Sequence, residues 1–134
     1  MKNLYICLLF IAAFAVTGCY DRDIIEHKPG ESIDPVTNLN YTIDGTEITF
    51  TWTLPSSFPD DILLPVSVQM TVFKDNIQVS STAIPDAPTT FIYTQYDPES
   101  IYRFIFKVKA NVDTEDQSVS NVRYSKGTVV VIWR

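Results

Sequence analysis

Two cysteines, one histidine and four glycines are all that the 134 residues hold of three residue types on which much chemistry depends. Cys7 lies in an apolar run near the N-terminus and Cys19 follows it closely. Beyond Cys19 there is no thiol, which excludes a disulfide framework, a cysteine nucleophile and a Cys/His zinc site. His27 sits in a charged stretch with Pro29 and Gly30. A general base needs a fixed place within hydrogen-bond reach of its proton, and such a stretch provides none. The four glycines form neither a Walker nor a dinucleotide-binding pattern. After residue 35 no segment keeps a 3.6-residue apolar period, so no helix is expected there. Basic residues are also scarce, ten Lys or Arg against sixteen Asp or Glu, a net charge of −6. With no basic stripe of interleaved aromatics visible, nucleic acid is not an expected partner, and electrostatic docking on anionic lipid is disfavoured.

What is present starts with an unbroken apolar run of thirteen residues, Leu4 to Val16, preceded by Lys2. It is too short for a membrane-spanning helix, which needs ~20 residues. The length matches the h-region of a secretory signal, with a buried core helix as the alternative. The run ends in Val16-Thr17-Gly18-Cys19. This resembles the lipobox of bacterial lipoproteins, with a plain secretory protein and a chance cysteine as the alternative. The resemblance implies cleavage before Cys19 and acylation of that residue, and several acyl chains hold a membrane where one chain binds only marginally. Loss of residues 1–18 removes Lys2 and no acid, leaving nine basic against sixteen acidic side chains, a net charge of −7. The expected organisation is a signal peptide over 1–18, lipidated Cys19 with an acidic tether over 19–35, and one folded unit over 36–134. As a flexible coil the tether reaches ~20 Å. The acids after the cysteine, in Tyr20-Asp21-Arg22-Asp23, are similar to the surface-export signals of Bacteroidota lipoproteins, although Arg22 interrupts the pattern.

From Val36 onward the apolar period is two. Ile48, Phe50, Trp52 and Leu54 alternate with Thr49, Thr51 and Thr53, the mark of a half-buried strand. Further strands are expected over Leu39 to Ile43, Pro65 to Phe73, Gln78 to Ser81, Thr89 to Tyr93, Tyr102 to Ala110 and Gly127 to Trp133. Asp44-Gly45-Thr46 and Lys74-Asp75-Asn76-Ile77 read as tight turns. Seven short strands, with prolines between them, predict an all-β, seven-stranded antiparallel sandwich.

Trp52 on the second strand and the run Tyr96-Asp97-Pro98-Glu99-Ser100-Ile101-Tyr102 before the sixth are similar to the fibronectin type III module and to Ig-like sandwiches generally. Tyr96 and Ser100 replace the Leu and Thr of that family's corner, while Pro98 and Tyr102 keep their places. The resemblance covers Pro35 to Arg134. It implies that Tyr102 is a tyrosine corner whose hydroxyl bonds back to upstream backbone. The layout as a whole resembles small Bacteroidota lipoproteins of unassigned function.

Candidate functional residues are few. Asp60 and Asp61 in one loop and Asp113 to Asp116 in another offer carboxylates for glycoside hydrolysis or Ca²⁺. Neither loop has Asp-x-Asp-x-Asp-Gly spacing, and the two are expected at different ends or edges, so solvated loop acids are the reading. No metal or cofactor is expected. Trp52, Tyr102, Phe104 and Phe106 fall on inward stripes and read as core. Phe58, in a proline-flanked loop, is a candidate ligand contact, with a cap on the end of the sandwich as the favoured reading. On the sheet of the third, sixth and seventh strands the outward face is expected to carry Phe73, Ile105, Val130 and Ile132, an apolar patch of the kind that marks a partner site. The final strand is a second candidate, through pairing with another sheet.

The sequence therefore predicts a non-enzymatic, outer-membrane lipoprotein held by lipid at Cys19, on the cell surface or the periplasmic face. Its expected role is an interaction module, accessory or adhesion-like, linked to surface glycan uptake, with a protein or a glycan as partner. The alternatives are a carbohydrate-binding module using loop aromatics such as Phe58, and, more weakly, a small glycan hydrolase using Asp60 and Asp113.

Overall fold

The computed structural model describes residues 31–115 and 120–134. The expected signal peptide, Cys19 and most of the expected tether lie outside the described residues. Eight strands follow in chain order: β1 Thr37–Asp44, β2 Glu47–Thr53, β3 Ile62–Lys74, β4 Ile77–Ile84, β5 Thr90–Tyr93, β6 Tyr102–Val112, β7 Val122–Tyr124 and β8 Thr128–Ile132. No described residue is helical. β2 buries Ile48, Phe50 and Trp52, and β6 buries every second residue from Tyr102 to Val112. A strand with one apolar face needs a second sheet to cover it. Two sheets result, ordered β1-β2-β5 and β4-β3-β6-β7, with β8 also pairing β6, and every pairing is antiparallel.

Between the sheets lies an aromatic seam. Phe50 meets Phe104 and Phe106 at centroid distances of 4.7 and 5.1 Å, and Trp52 meets Phe106 at 5.2 Å. Tyr93 stands edge-on to Phe104 at 5.2 Å. Such pairs are worth about 0.5–1.5 kcal/mol each beyond the area they bury. This is the antiparallel all-β sandwich that the two-residue period predicts.

One end of the sandwich is built from turns. Asp75 and Asn76 both have positive φ, 50° and 67°, as a type I′ hairpin requires, and Gly45 has φ 59° in the β1–β2 turn. Asp75 Oδ1 accepts from Ile101 N at 3.0 Å and Asp75 N donates to Ile101 O at 2.8 Å. Tyr102 Oη donates to Gln95 O at 3.1 Å, so the tyrosine corner implied by the family resemblance is present. Lys74 Nζ binds Asp97 at 2.9 Å beside it.

The structure departs from the expected elements in two respects. A short strand beyond those expected, β7, precedes the final one, with a break between the two, which makes eight segments rather than seven. Ser125 is buried at the break: its N donates to Val108 O, and its Oγ accepts from Val108 N, both at 2.9 Å. A side-chain oxygen thus replaces the carbonyl that an unbroken ladder would supply. The folded unit also begins earlier than residue 36. Ile33 and Val36 belong to the core, Arg123 Nη1 donates to Glu31 O at 3.1 Å, and Thr128 Oγ1 donates to Val36 O at 2.8 Å. Residues 31–36 therefore run alongside the β7–β8 edge and shield part of it from edge-to-edge pairing. The apolar Ile33, set among charged residues, is the local reason.

Candidate functional site

Strand register assembles one continuous outer face on the larger sheet. Because Tyr102, Phe104, Phe106, Val108 and Ala110 are buried, Arg103, Ile105, Lys107 and Lys109 point outward. Across the sheet Thr71, Ile105 and Val129 form one row, and Phe73, Arg103 and Val131 form the next. Lys109 lies between Ser67 and Tyr124. Val129 is 51% exposed, Val131 37% and Tyr124 49%.

Two devices hold this face. The guanidinium of Arg103 lies over the Phe73 ring, 4.3 Å from its centroid, and Arg103 Nε is buried without a hydrogen-bond partner. Gly127 passes directly over Ile105: a Cβ there would stand 2.7 Å from Ile105 Cγ2 and 3.4 Å from Lys107 Cε. Only glycine lets the chain cross at that height.

The charge on this sheet is segregated. None of the sixteen acids lies on β3, β4, β6, β7 or β8, whereas Lys74, Arg103, Lys107, Lys109 and Arg123 do, half of the ten basic residues. Lys74 and Arg123 are paired, with Asp97 and Asp61 respectively. Arg103, Lys107 and Lys109 have no ion pair among the described residues. The hydrogen bond from Lys74 holds the Asp97 carboxyl below the ordinary value of 3.8, and the hydrogen bond from Arg123 does the same for Asp61.

Of the four residues expected on the outer face, two lie there. Phe73 and Ile105 lie on it, each partly covered, one by Arg103 and the other by Gly127. Val130 and Ile132 do not. They stand opposite Phe104 and Tyr102, and Ile132 is only 4% exposed, within the core. Val129 and Val131 take their places. Four successive apolar residues carry no alternation, so the phase of this strand is set only by its register with β6. Phe58 is partly buried and packs against the core, as a loop aromatic capping the sandwich does.

The acidic loops expected at different ends are neighbours, joined by Asp113 N donating to Asp61 O at 2.8 Å. Arg123 engages both oxygens of Asp61, Nη1 at 3.0 Å to Oδ1 and Nη2 to Oδ2. A carboxylate so held stays ionised and does not serve as a general acid. No group of three or more metal-ligating side chains occurs among the described residues. An open depression of about 410 Å³, lined by residues including Asp34, Thr37, Thr53 and Ser56, gathers hydroxyls and a single carboxylate.

A family model, the domain of unknown function DUF4945, matches residues 19–132. The chain belongs to this family. No curated protein matches the DUF4945 chain in sequence. Among solved structures it is similar to a computer-redesigned β-sandwich protein, with TM-score 0.53 and 17% identity over 75% of this chain and 88% of that one. It is also similar to the central fibronectin-III array of RIM-binding protein, with TM-score 0.50 and 11% identity over 81% of this chain. The chain spans 38% of that array. These likenesses place the DUF4945 chain among fibronectin type III-like sandwiches.

The functional feature that the sequence reading passed over is the cationic row. Its signal is the alternation in Tyr-Arg-Phe-Ile-Phe-Lys-Val-Lys, where three of the four outward positions are basic. Net charge hid it, because the acids are concentrated elsewhere.

Proposed function

We propose that this DUF4945 chain is a lipid-anchored, non-enzymatic interaction module of the bacterial cell envelope, an outer-membrane lipoprotein of the kind found in Bacteroidota. The anchor is lipid on Cys19, supported by the lipobox-like Val16-Thr17-Gly18-Cys19 and by a family match that begins at Cys19. The non-enzymatic reading rests on the residues after 30, which include neither histidine nor cysteine. It rests also on Asp61, in one of the two acidic loops, being held by Arg123. The docking surface is the outer face of the larger sheet. The observation that carries this reading is the segregation of charge: an acidic chain keeps one whole sheet free of carboxylates and leaves three of its cations there with no ion pair among the described residues. A solvated face with no partner has no physical need of that separation, since mixed signs serve solubility better.

The test has two parts. Mass spectrometry of the N-terminal peptide is expected to find acylated Cys19, and a bare thiol would remove the anchor. A photo-crosslinking residue at Val129 is expected to form adducts on intact cells, while the same residue at Thr51, on the outer face of the smaller sheet, stays unreacted. Silence at both sites would remove the docking surface.

A further inference from the structure

The face chosen above also carries information about what it binds, and the following inference rests on that choice. We propose that the outer face of the larger sheet binds a linear acidic polysaccharide, laid along β6. Its anionic groups meet Arg103, Lys107 and Lys109, and a sugar ring packs on Tyr124.

The net charge of the chain does not oppose this. At physiological ionic strength charges are screened over about 8 Å, so a ligand on the sheet feels the residues under it rather than the acids of distant loops. Under it there is no carboxylate in any of the five strands. The three cations are free to act, since the other two cations of the sheet are the ones with ion-pair partners. Arg103 is moreover held in place, its guanidinium carbon 4.3 Å from the Phe73 ring centroid. A planar, weakly hydrated guanidinium suits a carboxylate or sulfate group.

The layout favours a linear polymer. Arg103 to Lys109 extends for roughly 20 Å along one strand, at about 3.3 Å per residue. Lys109 and Tyr124 are directly opposed across β6 and β7, so their Cβ atoms stand about 5 Å apart. An ammonium beside a half-exposed phenol ring offers an acidic sugar both of its needs, a counter-charge and an apolar surface for the ring face. Single-stranded nucleic acid needs several successive stacking platforms, and this row has one. A protein partner needs about 800 Å² with an apolar centre. Here Phe73 and Ile105, the natural centre, already lie beneath Arg103 and Gly127.

The test is affinity electrophoresis of the full-length chain in detergent, in gels containing polygalacturonate, heparin, neutral dextran or double-stranded DNA. Flotation with phosphatidylglycerol vesicles runs in parallel. We expect retardation by the two acidic polysaccharides and not by dextran, weakening steeply between about 50 and 300 mM NaCl as counterion-linked binding does. The double substitution Lys107→Glu, Lys109→Glu should weaken binding by at least about tenfold, given the cost of reversing charges in contact. Tyr124→Ala, which leaves the charge unchanged, should weaken it several-fold. Thermal melts confirm that each variant is folded. Retardation by DNA or recovery with vesicles as strong as with polysaccharide would overturn the proposal, as would binding indifferent to both variants. Absence of polysaccharide binding with Val129 still crosslinking on cells would overturn this inference alone. Absence of both would overturn the docking surface as well.

Discussion

Gly127 and Ile105 touch where the broken edge strand crosses the outer sheet face: a Cβ on Gly127 would lie 2.7 Å from Ile105 Cγ2. The branched Ile105 side chain has few rotamers through which to escape. Gly127→Ala is therefore expected to destabilise the domain by about 1–3 kcal/mol, as overpacking does. Ile105→Ala in the same chain removes the clashing methyl. A double-mutant cycle by urea denaturation should show a coupling of about 1 kcal/mol or more in favour of the pair. Additive effects would show that the close approach is not what requires glycine.

Ser125 carries the second prediction. Its Oγ accepts the buried Val108 N–H at 2.9 Å and donates to Lys126 O at 2.8 Å. Ser125→Ala leaves that N–H without a partner, which costs about 1–3 kcal/mol. Chemical denaturation should register the loss, and hydrogen exchange should show the Val108 amide among those most affected. Ser125→Thr, which keeps the oxygen, should lose less.

The tyrosine corner makes a milder prediction. Tyr102→Phe removes the hydroxyl that donates to Gln95 O at 3.1 Å while keeping a ring stacked on Phe104 and tilted against Tyr96. A net hydrogen bond is worth about 0.5–1.5 kcal/mol, so the melting temperature should fall with the fold retained. A variant as stable as the wild type would show that the corner is geometry without energy.

Stability should also depend on pH in a definite direction. Asp61 and Asp97 are both held below 3.8 in the folded state, by hydrogen bonds from Arg123 and Lys74 respectively. A carboxyl with a lowered folded value stabilises above its unfolded value and loses that contribution as the pH falls through the folded one. Stability should therefore decline as the pH drops below about 4. Lys74, raised above 10.5 chiefly by its hydrogen bond with Asp97, contributes below that value and loses its contribution as the pH rises beyond it. Asp61→Asn and Asp97→Asn should each flatten the acid limb in denaturation measured from pH 2.5 to 7. An acid limb unchanged in both would show that other carboxyls set it.

Strand-by-strand alternation made most of the architecture legible. Phe50 and Trp52, Val68 and Met70, and Phe106 and Val108 each declare a face, because a polar neighbour separates them along the chain. Where neighbours are all apolar, as in Val129-Val130-Val131-Ile132, no local signal tells inside from outside. The assignment of Val130 and Ile132 to the outer face failed there, and pairing with Phe104 and Tyr102 corrects it. Ser125 reads in the chain as an ordinary polar residue, and only its place opposite Val108 makes it a break in the strand. The candidate site divides in the same way. The cations of β6 are visible in the sequence, but that they make no ion pair among the described residues is a property of the assembled sheet.

Composition and period alone determined that the chain after residue 35 forms β-strands with one apolar face each, and that no thiol or imidazole chemistry operates among them. Those conclusions depend on residue type and on neighbours two positions away, which a linear sequence displays in full. The tertiary structure decided the phase of the last strand, the docking of Ile33 and Val36, the meeting of Asp61 with Asp113, and the clustering of cations on one face. Each of these depends on which strand lies beside which, and that is set by long-range pairing and burial rather than by any local preference.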